Sequence, residues 1–457
     1  MTLLALGQLR RRPASFLGLA VALFLALTAL TLFGSLFAAD LATPAAVRNE
    51  ADGPGLMVIA GAFGEIAVLV AFFVLVNALG FALRQQHREL ALLRTIAATP
   101  RQMRRLVRTQ VALTTLAMTA PGCAAGAAGA RALLAELQRR GMAAPGVRVP
   151  GTPVPMLVAS AAVLAVGLMA SAVAARRISR VAPAAALTAS STEHSRTGAV
   201  RLLAAAGVLT GGVLLLRLAA TRPAGEVDEA GQAALLGTLV LLVATALAGP
   251  FAARVLAAVL GTPVRLLAPG AGWLADANLR GYARRLASAA VPVALLVGLS
   301  GTMLIMTRTA EQAGGPAASG VTSDTDVWLR QAELAMLVCF AAVSTVNTLV
   351  AVTAERRREF ALMRLTGAPR AQLLRMLTAE SLLTAAVGIL LGGAVAVAAS
   401  AAFSTAVTGS SVPPLPAADC AWIVAGAAVL TIPAILVTGL LTVCGPALSP
   451  RPGTARG

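Results

Sequence analysis

The stretch Ala354–Gln372, AERRREFALMRLTGAPRAQ, sets arginines at 356, 357, 358, 364 and 370 in a polar island between two long apolar segments. A divergent copy, LRQQHRELALLRTIAATPRQ at Leu83–Gln102, lies between apolar segments of its own. Both islands carry an acid, a small residue and apolar positions along with their arginines. Charge bias alone preserves the number of arginines; it does not preserve that pattern.

The surroundings fix the class. Hydrophobic residues make up 58% of the 457 residues, charged residues 12%, and mean hydropathy is +0.82. A soluble domain carries about twice that charged fraction. Apolar runs of about 20 residues, the length that crosses a bilayer core, recur along the chain. The sequence therefore predicts an all-α polytopic membrane protein. Ten transmembrane spans are expected, at about 14–39, 56–83, 109–131, 153–174, 199–220, 232–258, 286–307, 332–353, 378–403 and 420–443. Their grouping is four, two, four.

Charge placement orients them. With the N-terminus inside, cytoplasmic segments and span ends hold 28 arginines and five acids, external ones nine arginines and twelve acids. That is the positive-inside asymmetry, and it places both termini in the cytoplasm. One external stretch, 131–152, disobeys with Arg131, Arg139, Arg140 and Arg148. Arg10, Arg11 and Arg12 resemble the head of a signal peptide, but the apolar run behind them is longer than a signal core, and later spans need it for parity. External connections are short, the longest roughly 308–331, which is too little for a folded capture domain.

The formal charge of +18 comes from arginine alone, for no lysine occurs. Because the arginines cluster beside apolar runs and not on a soluble basic domain, nucleic acid is not an expected partner. The lack of lysine and the richness in Ala, Gly and Arg look like the coding bias of a high-GC bacterium. Cys123, Cys339, Cys420 and Cys444 show neither metal-ligand spacing nor a disulfide framework, and His87 and His194 stand alone. No catalytic triad or carboxylate pair is evident, so no enzyme site is expected. The phosphate-binding loop G-x-x-x-x-G-K-[ST] needs a lysine. Any ATP and Mg²⁺ would therefore be bound by another polypeptide, with no cofactor expected in this chain.

A shift of 270 residues carries Val76 onto Val346, Asn77 onto Asn347, Arg88 onto Arg358, Glu89 onto Glu359, Arg94 onto Arg364 and Arg105 onto Arg375 without a gap. It also carries Leu9-Arg10 onto Leu279-Arg280. The expected organisation is a first four-helix repeat over 1–190, a two-helix linker over 191–270 and a second four-helix repeat over 271–457. The repeats are parallel, related by a pseudo-twofold axis along the membrane normal.

Within the island Phe360, Met363 and Gly367 recur at helical spacing, with Arg357, Arg358 and Arg364 elsewhere. Glu359 lies five residues before Arg364, so they are not an ideal helical pair. Gly367 and Pro369 are expected to end the helix. A short amphipathic helix at this depth can lie on lipid headgroups, anchor topology or dock into a partner's groove. A helix presented twice suits a partner that is itself a dimer.

Asn347–Leu383, NTLVAVTAERRREFALMRLTGAPRAQLLRMLTAESLL, resembles the core of the FtsX-like permease family, the membrane subunits of MacB-type ABC systems. Leu274–Arg285, LADANLRGYARR, is similar to its entry segment. Arg176–Leu187, RRISRVAPAAAL, resembles its closing element, carried by Arg176, Arg177, Pro183, Ala186 and Leu187. The resemblance implies a cytoplasmic ABC ATPase dimer as partner. It also implies coupling helices between the second and third spans of each half, at Arg88, Glu89, Leu90 and Arg94 and at Arg358, Glu359, Phe360, Met363, Arg364 and Gly367. Departures are Ala97 where the second copy has Gly367, Gln110 where it has Glu380, and GPALSPRPGTARG where a second closing element belongs. One chain per ATPase dimer and a dimer of such chains both fit the duplication.

Other candidates lie inside the spans. Glu65 is an intramembrane acid, functional by default or else protonated or reaching water at the outer surface. Asn77 and Asn347 occupy equivalent places and are expected to hydrogen-bond across helices, each bond contributing about 0.6–2 kcal/mol. Gly122/Gly126 and Gly388/Gly392 are small-xxx-small pairs that let helices approach closely. The leading expectation is a multi-pass plasma-membrane ABC permease that exports or extracts an amphiphile, whether lipid, peptide or drug, with membrane lipids as its surroundings. The alternative is a transport-silent subunit relaying ATPase closure to an external partner. A third reading, an ion-coupled secondary transporter, rests on Glu65 alone.

Overall fold

The computed structural model describes residues 13–48, 55–61, 63–65, 68, 75, 78, 79, 99–179, 199–223, 226–267, 283–313, 324–354 and 356–444. Among them the chain is helical and contains no strand. The helices are α1 (Pro13–Ala42), α2 (Pro100–Arg139), α3 (Val154–Ser179), α4 (Ala199–Ala220), α5 (Val227–Leu267), α6 (Ala283–Ala313), α7 (Asp324–Ala354), α8 (Arg357–Leu365), α9 (Arg370–Thr408) and α10 (Ala417–Cys444). A single further turn lies at Ala45–Arg48, and a short apolar helix at Leu56–Glu65. Among the described residues, seven helices are long and apolar enough to cross a membrane. Each expected span other than the second lies within a described helix; of the second, only parts are described.

Several helices outrun their apolar stretches. α2 begins at a capping box: the Thr99 hydroxyl accepts from the Gln102 amide at 3.3 Å, and the Gln102 side chain accepts from the Thr99 amide at 2.9 Å. It ends beyond the span, at Arg139. The Gln138 amide donates to the carbonyls of Ala144 and Val147 at 3.0 and 2.9 Å, folding the next loop back so that Met142 and Val147 are buried. The arginines that break the charge rule have local work here. Glu136 pairs with Arg139 and Arg140, and the Arg140 guanidinium stacks 4.6 Å from the Trp328 ring centroid.

The chain forms two compact units, residues 1–191 with 322–340, and 192–321 with 341–457, so α7 contributes to both. In the first unit α1, α2 and α3 pack pairwise. Leu19, Leu23, Leu27, Leu106, Val111 and Val163 share their core with Leu75 and Leu79 of the second expected span. In the second unit α6 packs against α5, α9 and α10. The two helices expected as a linker belong to this unit. Leu241 of α5 fills the space beside Gly212 of α4, and Leu216 of α4 fills that beside Gly237 of α5. Arg201 of α4 donates to the carbonyls of Leu247 and Ala246 at 2.8 and 3.1 Å. Ala246 is the carbonyl that Pro250, lacking an N–H, leaves without its helical donor.

One contact recurs in both units. A Cβ added at Gly122 would meet Leu27 Cβ at 2.7 Å and the Phe24 carbonyl at 3.3 Å; at Gly392 it would meet Val297 Cβ at 2.9 Å and the Ala294 carbonyl at 2.5 Å. All three positions of the first contact map onto the second by the 270-residue shift. One turn on, the small residue changes sides. Gly126 faces Thr31 in the first unit, whereas in the second Ala396 faces Gly301. Gly388 sits in the same seam, against Val293. Lipid tails are as apolar as leucine, so helices in a bilayer gain by close van der Waals packing, which these small residues allow.

Gly392→Ala forces a Cβ against backbone, whereas neighbouring Gly393 faces open space. Overpacking costs about 1–3 kcal/mol. Gly392→Ala should lower the thermal midpoint of the detergent-solubilised protein by several degrees, with Gly393→Ala neutral or slightly stabilising, as size-exclusion recovery after heating will show.

Candidate functional site

α8 carries the polar island, and its surroundings explain why its arginines are not equivalent. Arg356 sits at the N-cap of α8 and is only 4% exposed. Its two terminal nitrogens grip the carboxylate of Glu380 on α9, which is equally enclosed. Its Nε donates to Glu359 at 3.1 Å, and the guanidinium lies 4.8 Å from the Phe360 ring centroid. Glu359 in turn accepts from both terminal nitrogens of Arg285 on α6, at 2.9 and 2.5 Å. Two arginines and two glutamates thus form one network joining α6, α8 and α9.

Bidentate arginine–carboxylate pairs fix orientation as well as distance. Burial works against the charge on Glu359. The hydrogen bonds and charge of Arg285, then those of Arg356, outweigh it and hold the carboxyl below its ordinary value. Burial likewise opposes the Arg356 cation, and Glu380 followed by Glu359 overcome it.

The helix has two faces. Phe360 is fully buried, whereas Leu362 and Leu365 are 63% and 71% exposed. α8 lies against α10. It ends as Gly367 and Pro369 led one to expect. The Ala368 amide donates to the Met363 carbonyl at 3.0 Å and the Gly367 amide to that of Arg364 at 3.1 Å, with Gly367 at φ +91°. This is a Schellman stop, which needs a left-handed residue. α9 then starts at once, from Pro369.

Of the residues expected to couple, Phe360 is fully buried, and Glu359, partly exposed, is held by Arg285 and Arg356. Met363 and Arg364 are half-buried, and Gly367 is exposed at the turn. Arg358 lies in α8, its side chain outside the described set, and Arg88, Glu89, Leu90 and Arg94 lie outside the described residues altogether. Glu65 is exposed at the end of its short apolar helix, Asn347 is half-buried and engaged in α7, and Asn77 is not among the described residues. Cys123 is buried, 3.5 Å from the Thr31 hydroxyl, while Cys339 is exposed. Among the described residues no group of acids, histidines and cysteines could hold a metal ion.

The sequence named Arg356 only as one island arginine and Glu380 only as the counterpart of Gln110, and it did not connect either with Arg285. A signal was there. Under the 270-residue shift Arg356 and Glu380 correspond to Gln86 and Gln110, so an acid–base pair in one copy is an amide pair in the other.

The family model of the FtsX-like permease C-terminal region matches residues 61–183 and again 333–444, together just over half of the chain. The chain belongs to the FtsX-like permease family. It is thus the permease subunit of an ABC transporter and a multi-pass membrane protein, of a family that usually pairs with a cytoplasmic ABC ATPase and is generally not itself catalytic. No curated protein matches it. The second match contains α8 and the Glu380 end of α9, and the first contains the island at Leu83–Gln102.

Three outcomes follow from this geometry. Removing one partner of a buried ion pair costs about 3–5 kcal/mol. Arg356→Ala should therefore be severely destabilised in thermal recovery assays, while Arg356→Gln with Glu380→Gln, the pair the first copy carries, should lose much less. Gly367→Ala puts a Cβ on a left-handed residue and should cost about 1 kcal/mol in the same assay. Because the Glu359 carboxyl is held low, its ionic contribution is complete above the ordinary value of 4.5 and is lost as pH falls through the lower folded value. A spin label at Leu365→Cys should keep constant mobility from pH 8 to pH 5 and loosen only below about 4.5.

Proposed function

We propose that this FtsX-like permease couples ATP hydrolysis by a separate cytoplasmic ATPase dimer to export or extraction of an amphiphile, in the manner of MacB-type systems. The observation that carries the proposal is the two-faced α8: network and Phe360 inward, Leu362 and Leu365 outward, on a helix between two long apolar ones. Apolar side chains held outside a lipid-crossing helix on a rigid mount suit a protein groove. The mount itself, a network of ion pairs, favours docking over a helix merely floating on headgroups.

In this reading the chain has ten spans grouped four, two, four, with cytoplasmic termini and two parallel repeats joined by α4 and α5. Three shorter apolar helices, at Leu56–Glu65, Val154–Met169 and Ala341–Val350, fall where the second, fourth and eighth spans are expected and supplement the seven long ones. The glycine seam adds support. Contacts of α1 with α2, and of α6 with α9, rise in parallel along both helices, which requires a return crossing between them. Arg88, Glu89, Leu90 and Arg94 are then the first-half counterpart of α8, and one chain supplies both halves for one ATPase dimer. ATP and Mg²⁺ stay with that partner. An amphiphilic cargo suits a protein whose α4 and α10 are mostly unburied apolar surface, open to the plasma-membrane lipid.

Leu362→Asp with Leu365→Asp places charge on the docking face and leaves the network alone. The variant should insert normally and bring down at least tenfold less ATPase from its own membranes. Undiminished co-purification at moderate salt would overturn the docking reading.

A further inference from the structure

The two islands of this permease differ in the residues available to hold them. Arg285, Glu359, Arg356 and Glu380 tie α8 at two points, to α6 through Arg285–Glu359 and to α9 through Arg356–Glu380, with the Arg356–Glu359 bond as a brace between them. α6 and α9 are themselves locked by the Gly388/Gly392 seam. Displacement of α8 must therefore carry both helices. α6 is the helix with most to transmit: 89% of its apolar stretch is buried, against no more than half in any other candidate span.

The same four places in the first copy, under the 270-residue shift, read Ser15, Glu89, Gln86 and Gln110. Both arginines are gone. Glu89, the counterpart of the acid that two arginines grip in the second half, thus has a serine and a neutral amide at the places equivalent to those arginines. We propose that the Arg285–Glu359–Arg356–Glu380 network makes α8 the stiff lever of the pair, so that ATPase closure reaches the membrane helices chiefly through the second half. Arg285 and Glu359 act here as positioning residues. This inference rests on the docking reading and deepens it.

The test uses the full chain with the ATPase that co-purifies from its own membranes, in phosphatidylethanolamine–phosphatidylglycerol nanodiscs. Cys123, Cys339, Cys420 and Cys444 are replaced by alanine, and a spin label is placed at Gln312→Cys in the last turn of α6, about 40 Å along the helix from Arg285. ATP–Mg²⁺ with vanadate should change its spectrum. Arg285→Ser, at a partly exposed site, and Glu359→Gln should each reduce that change at least fivefold while the ATPase still co-elutes and KM for ATP stays within twofold. Arg285→Lys, which keeps a charge and one hydrogen bond, should restore about half of it. Glu359→Gln should have at least five times the effect of Glu89→Gln. A full response in Arg285→Ser, equal losses in the two glutamate variants, or a parent complex whose label ignores vanadate would each overturn the inference. Failure of the parent to hold any ATPase sinks the docking reading instead.

Discussion

The buried pairing of Arg356 with Glu380 is the constraint on which the α8 end of the second unit depends. Neither charge is tolerable at such burial without the other. Because Arg356 caps α8 and Glu380 lies near the start of α9, their union fixes where the polar island turns back toward the lipid. Glu359 then becomes the hinge pin of the arrangement, since it accepts from Arg356 on its own segment and from Arg285 on α6. With its inward face thus held, the helix has only its Leu362–Leu365 side left to present.

Beneath that network the helices are held by a different means. Burying leucine against leucine gains little in a bilayer, so affinity comes from how closely two backbones approach. The Gly122 and Gly392 contacts bring a carbonyl of the neighbouring helix to within what would be Cβ distance. That such a contact recurs at positions exactly 270 apart in each unit places the duplication in the packing as well as in the residues. Its variation is informative too. Between Gly126/Thr31 and Gly301/Ala396 the small residue has moved across the seam, so what the interface demands is one small side per level, and which helix supplies it is free.

Much of this was legible in the sequence. Apolar length located the helices, the repeat emerged from a single offset, and Gly367 with Pro369 announced the end of α8. The ends of helices were less legible, because hydropathy marks contact with lipid and a helix such as α2 continues on its own hydrogen bonds to Arg139. Least legible was which face of α8 turns inward. Five arginines in one island look alike until a partner is known, and Arg285 lies more than 70 residues away. Spacing within α8 therefore could not reveal that Glu359 and Phe360 serve the mount. Arg201 was hidden for the same reason: the carbonyl it serves, freed by Pro250, lies on another helix.

The comparison of the two copies carries one further step. In a dimer of identical half-sized chains every change occurs twice, so a pair such as Arg356–Glu380 must be kept on both sides or lost on both. Fusion into one chain removes that constraint. A single substitution would still leave a buried charge alone, at a cost of about 3–5 kcal/mol, so the pair can change only together. The amides Gln86 and Gln110 at the equivalent places keep hydrogen-bonding capacity without charge. The two copies therefore offer different residues at equivalent places, and the arginine–glutamate network of the second is built into α6, the most enclosed of the candidate spans.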